Sequence, residues 1–78
     1  MNFDFDRRVG RNIRALRMAK NWSQEQLAAK LQVCGCDMTR SALAKVEAGQ
    51  RHIYADEIFL LRGILGCEFE DLFGKNGI

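Results

Sequence analysis

The sequence predicts an all-α domain, a compact bundle of four to five short helices. Two observations carry that prediction. Apolar residues recur at three- and four-residue spacing along most of the chain, the period of a helix with one buried face. Cap residues punctuate those stretches, with Ser or Thr before them and Gly after them, and there is no proline.

The first helix is read from "DRRVGRNIRALRMAKN", residues 6–21. Val9, Ile13 and Leu16 share one face there, and the arginines lie mostly on the others. Gly10 weakens it by up to about 1 kcal/mol relative to Ala. Asn21 is a plausible stop, after which Trp22 packs between elements. The second helix, "SQEQLAAKLQ", has a clear start: Ser23 as cap and Gln26 completing a capping box. Leu27, Ala28 and Leu31 form its apolar stripe, and Trp22 is placed to staple onto Leu27.

"VCGCDM", residues 33–38, breaks the pattern, with Gly35 and Asp37 supplying turn chemistry. Thr39 caps the third helix, which runs to Gly49, a residue suited to a left-handed terminus. On a helical wheel Ala42, Leu43 and Val46 share one arc, whereas Arg40, Ser41, Ala44 and Lys45 share the opposite one. The fourth helix, "YADEIFLLRGILG", opens with acids, which the macrodipole favours, and turns Ile58, Leu61 and Leu65 inward. In "CEFEDLF" a last turn or short fifth helix closes the core with Phe69, Leu72 and Phe73. "GKNGI" is expected to fray. Phe3 and Phe5 are left open between packing on the domain and packing on a partner.

The 78 residues make one domain, 1–78, with a core over 6–73. Such a chain buries only about 60% of its unfolded surface, so its stability is modest without a partner. No apolar run approaches the roughly 20 residues of a membrane span. "MNFDFDRR" has charges where a signal peptide needs an apolar core. The expected location is therefore the cytoplasm. Three cysteines, Cys34, Cys36 and Cys67, are an odd number and argue against a disulfide framework. The Cys34-Gly-Cys36 spacing is too tight for a usual zinc pair and His52 is the single histidine, so no metal or other cofactor is expected.

The net charge of +2 hides an asymmetry. Arg7, Arg8, Arg11, Arg14, Arg17 and Lys20 crowd the first part of the chain; Asp56, Glu57, Glu68, Glu70 and Asp71 crowd the last. A polarised surface suits an anionic partner on one side. An enzyme lacks its parts: there is one His, no glycine-rich phosphate loop and no convincing pair of carboxylates in a cleft.

Two short helices joined by a turn, the second with a polar outer face, describe a helix-turn-helix over about residues 23–49, with an extended turn at 33–38. A helix of this kind fits the DNA major groove. Arg40 and Lys45 can donate to guanine O6 and N7, Ser41 can donate or accept, and Ala44 can meet a thymine methyl. "IRALRMAKNWSQEQLAAKL" followed by "TRSALAKVEAGQR" resembles the Cro/CI-type helix-turn-helix of the XRE family of bacterial and phage transcription regulators. The features that match are Leu16-Arg17, the Ser-Gln-x-x-Leu-Ala opening of helix two, the Val-Glu-x-Gly-x-Arg exit of helix three and the closing Leu72-Phe73, over roughly residues 9–73.

The resemblance implies a lambda-repressor-like DNA-binding domain acting as a small transcriptional regulator, bacterial or phage-encoded, with double-stranded DNA as partner. It implies Gln24 against a phosphate, Thr39, Arg40, Ser41 and Lys45 toward the groove, and Arg51 and His52 toward the backbone. It also implies an Arg17–Glu47 ion pair that ties helix one to helix three. The chain departs from the family in its longer turn at 33–38. Arg7, Arg8, Arg11 and Arg14 could add phosphate attraction. Four successive apolar residues, "IFLL", span more than one face of helix four, which makes Phe59 and Leu60 candidates for a homodimer interface. Free-standing regulators of this size resemble phage Cro-like repressors, restriction-modification controllers and some antitoxins. The alternative reading is accordingly an antitoxin or other interaction module whose main partner is a protein. No small-molecule effector is evident.

Overall fold

The computed structural model describes residues 3–74. They form five helices: α1 (Phe3–Ala19), α2 (Gln24–Val33), α3 (Arg40–Glu47), α4 (Ala55–Leu65) and α5 (Phe69–Phe73). The Phe3 side chain and residues 75–78 lie outside the described residues, and with them the expectations that concern them.

α1 begins three residues before the periodicity does. Asp4 and Asp6 lie in its first turn, where a helix favours negative charge, and Asp4 pairs with Arg7 one turn on. Phe5 stacks on Phe73 of α5 with ring centroids 5.8 Å apart, a tertiary contact that local sequence does not announce. The helix stops where Asn21 takes up a left-handed φ of 61°. α2 starts with the capping box as read: Ser23 Oγ accepts from the Gln26 N–H, and Gln26 Oε1 accepts from the Ser23 N–H.

The turn between α2 and α3 differs from its expectation. Val33 belongs to the helix, and the Cys36 N–H reaches back to the Leu31 carbonyl over Gly35 at φ 88°. Met38 then drops into the core at 2% exposure. An extended turn with a buried anchor is held in place at both ends. Thr39 Oγ1 accepts from the Ala42 N–H and caps α3.

Val9, Ile13, Leu27, Leu31, Leu43, Leu61 and Leu72 meet in the centre, fully buried. Met38 and Ile53, both in connections, complete that core. Trp22 packs against it half-buried, with the Lys20 and Lys30 ammonium groups over its ring. One inward reading needs correction. Ile58 and Phe73 pack half-buried against the core, but Phe69, at 40% exposure, lies outside with Phe59, and Leu72 fills the centre.

Gly10 is a contact point as well as a weak helix former. A Cβ there would run into the backbone carbonyl oxygens of Val46 and Glu47, so α1 crosses α3 at backbone distance. Gly10→Ala is therefore expected to cost about 2 kcal/mol through overpacking. Thermal unfolding should show a Tm lowered by roughly 10 °C; an unchanged Tm would mean that the two helices can separate freely.

Candidate nucleic-acid interface

The centre of the site is an ion pair. Arg17 Nε donates to Glu47 Oε2 at 2.7 Å and Nη2 to Oε1 at 3.0 Å, a two-pronged contact that fixes both planes. Both side chains are buried, 10% and 3% exposed. Arg17 Nη1 also donates to the Trp22 carbonyl at 2.7 Å, so one guanidinium joins α1, the α1–α2 turn and α3. The hydrogen bond to Glu47 raises the Arg17 pKa above its ordinary value against the opposing effect of burial.

The Glu47 carboxylate accepts a third hydrogen bond, at Oε1, from Gln24 Nε2 at 3.0 Å. This alters the expectation for Gln24. Its carboxamide is held against α3 by one of its two N–H groups. Arg14, Ser23, Gln24, Ala44 and Glu47 line an open cleft of about 450 Å³ between the start of α2 and the outer side of α3. The N-terminus of α2, a natural anion site, opens into it. Arg14 is the residue of the basic first helix whose place in this cleft periodicity could not single out.

On α3 itself Arg40, Ser41 and Lys45 are exposed and Ala44 is half-buried. Among the described residues no ion pair holds Arg40 or Lys45. Thr39 is exposed too, although its hydroxyl oxygen is already an acceptor for the helix cap. The other arginines diverge. Arg7 pairs with Asp4, Arg8 lies over the Phe5 ring, and Arg11 is exposed.

The loop after α3 ties Arg51 to the start of the next helix. Arg51 faces inward to Glu57, with Nη1 to Oε1 and Nη2 to Oε2 both at 2.9 Å, and Nη1 also donates to the His52 carbonyl. It braces the loop from within. Burial would raise the Glu57 carboxyl, but the Arg51 hydrogen bond and the Tyr54 N–H bring it below the usual carboxylate range. Gly49, at φ 73°, ends α3 against Arg7, where a Cβ would strike the α1 backbone. His52 remains half exposed.

The proposed dimer residues also separate. Phe59 is 65% exposed and stands beside Phe69, whereas Leu60 is half-buried against the core. Two apolar neighbours on a helix point about 100° apart, and here only the first faces out. Among the described residues no cluster of three or more His, Cys, Asp or Glu is arranged to hold a metal, and no helix is long and apolar enough to cross a membrane.

A family model described as Helix-turn-helix matches residues 13–72. The chain belongs to the XRE-type helix-turn-helix family. It is 34% identical over 64 residues to Control protein C.BamHI of Bacillus amyloliquefaciens, covering 81% of this chain and 73% of that protein. It also resembles the crystal structure of the restriction-modification controller protein C.AhdI from Aeromonas hydrophila. There the TM-score is 0.77 and the identity 35%, over 91% of this chain and 96% of that one. As a member of this helix-turn-helix family, the protein is a DNA-binding transcriptional regulator.

The Arg17–Glu47 pair gives a stability prediction. Glu47→Gln leaves a buried guanidinium without its counter-charge and is expected to cost about 3 kcal/mol. Replacing both partners, Arg17→Met with Glu47→Leu, should cost less than the sum of the single changes. Urea unfolding of wild type, Arg17→Met, Glu47→Leu and the double variant measures the coupling, and strict additivity would show the pair to be energetically idle.

Proposed function

We propose that this regulator controls a restriction-modification system, as the name of C.AhdI describes for that protein, and binds a two-fold operator as a homodimer. The single observation that carries the DNA side of this reading is the free outer arc of α3. Arg40, Ser41 and Lys45 are exposed on a helix that Arg17 and Glu47 hold rigidly from behind. With α3 in the major groove, Arg40 and Lys45 donate to guanine edges, Ser41 reads either sense of hydrogen bond, and Ala44 meets a thymine methyl. Thr39, at the start of α3, lies where a helix enters the groove.

Phosphate contacts fix the register. Gln24 supplies its remaining N–H and the amides of the first turn of α2; Arg14 supplies charge in the same cleft. His52 lies on the far flank, and Arg51 supports it from behind. On this reading the chain works in the cytoplasm and performs no chemistry of its own. The likeness to controller proteins favours it over an antitoxin role.

Dimerisation is supported by a row of aromatic rings, Phe5, Phe73, Phe69 and Phe59, that runs from α1 across α5 to α4. Its exposed end is an apolar patch on a small protein, which self-association would cover. Two copies joined there would present two α3 helices, and the family's half-sites lie about one helical turn apart.

Selection of bound duplexes from a random library is expected to return a two-fold symmetric consensus. Arg40→Ala combined with Lys45→Ala should weaken binding to it about 100-fold, and affinity should fall steeply with salt. Selection without enrichment, or an indifferent double variant, would remove α3 as the reading element. In solution the protein should have twice its 8.9 kDa monomer mass, and Phe59→Glu should reduce it to monomer. A monomeric wild type at micromolar concentration would end the dimer proposal.

A further inference from the structure

Asp6 is buried as deeply as Glu47, each side chain being 3% exposed. Glu47 and Glu57 each meet an arginine in a two-pronged pair. Asp6 meets no arginine among the described residues; its ion-pair contact is the Nδ1 of His52, 3.4 Å from Oδ1. Burying a carboxylate away from water is costly unless a charge or donor compensates it. A carboxylate under the one half-exposed histidine, on the loop that follows α3, therefore calls for a function.

The rest of the neighbourhood is already balanced. Arg51 and Glu57 pair with each other, with the guanidinium pKa raised and the carboxyl pKa lowered, so both stay charged through the neutral range. Asp4 pairs with Arg7. Tyr54 meets the His52 ring edge-on at 5.4 Å. His52 is the chain's single histidine, and histidine is the side chain whose charge ordinarily changes between about pH 5 and 8.

We propose that Asp6 is a positioning residue for DNA binding: it holds the His52 imidazole by Nδ1, turns Nε2 toward a backbone phosphate, and makes binding take up a proton. The proposal rests on the DNA reading above. Its chemistry follows from the two ring nitrogens. A carboxylate accepts only, so Asp6 keeps a hydrogen on Nδ1. The neutral ring then offers a bare lone pair at Nε2, which repels a phosphate oxygen. Only when solvent delivers a second proton, to Nε2, does the ring become a donor on both sides. The imidazolium then bridges Asp6 and the phosphate, one anion on each side. Because binding takes up that proton, the contact strengthens as the pH falls and weakens as it rises.

The duplex recovered by the selection supplies the probe, with fluorescence anisotropy read from pH 8 to 6 at fixed ionic strength. Wild-type affinity should rise as pH falls, by at most about tenfold per pH unit for each protomer, the limit for one proton. His52→Gln keeps a neutral donor and should give a flat profile. Asp6→Asn no longer fixes the hydrogen on Nδ1, so a neutral ring can place it on Nε2. This variant should lose most of the slope yet bind at pH 8 no more weakly than wild type. A purely structural role for Asp6 predicts the opposite, weaker binding at every pH with the slope intact. That result, or a wild-type profile as flat as His52→Gln, overturns the proposal. Thermal unfolding by circular dichroism verifies that each variant is folded. Should Asp6→Asn fail that check, the comparison of His52→Gln with wild type still decides. Wild type binding no duplex at any pH would overturn the DNA reading itself, whereas binding with a flat profile overturns only the proton linkage.

Discussion

The crossing of α1 over the C-terminal half of α3 is the constraint on which the other features depend. Gly10 lets the two backbones touch, and two turns further along α1 Arg17 grips Glu47 with two hydrogen bonds. A helix of eight residues has too few internal hydrogen bonds to be stable alone. α3 is therefore helical, and fixed in direction, because α1 holds its back while Leu43 and Val46 fill the core. The outer arc is left with nothing to do inside the molecule. That division of faces is what lets a small helix present Arg40, Ser41 and Lys45 as a rigid surface. A helix that flexed would have to be ordered at the moment of binding, at an entropic cost.

The same pair organises the first helix of the motif. Glu47 holds the Gln24 carboxamide, and Arg17 holds the Trp22 carbonyl just before the Ser23 cap. The start of α2 and the end of α3 thus share one buried charge pair. A buried ion pair is weak evidence of added stability, since desolvation offsets much of its attraction. Its worth here is geometric. It sets the angle between two helices whose connection, Cys34 to Thr39, is too long to set that angle itself. Met38, inserted in the core, does the rest.

Beyond α3, charge is arranged in layers. Arg51 and Glu57 neutralise each other beneath the loop, and Asp6 lies under His52. Arg11, Arg14, Arg40 and Lys45 are exposed on α1 and α3, and the acids Glu68, Glu70 and Asp71 are exposed at the acidic end of the chain. Near the acidic end lie the exposed rings of Phe59 and Phe69.

Much of this was legible in the sequence. Spacing identified the inward residues of α1 to α4, the Ser23 and Thr39 caps and the outward arc of α3, because each depends on neighbours within one helical turn. The family resemblance added the Arg17–Glu47 partnership across 30 residues. Other features are decided by contacts between segments distant in sequence. Helical spacing cannot show that Phe5 would extend α1 by meeting Phe73, or that Met38 and Ile53 would complete the core from within connections. It reads Gly10 as a weak point in a helix where the fold uses it as a point of contact. Arg51 looks free in sequence until Glu57 appears opposite it, and Asp6 looks like an ordinary first-turn acid until His52 lies above it. Sequence alone determined which faces are apolar and where helices begin, because those are local properties of the chain. The tertiary structure decided which charges are spent on one another and which remain unpaired at the surface, because pairing depends on distances that only the assembled fold defines.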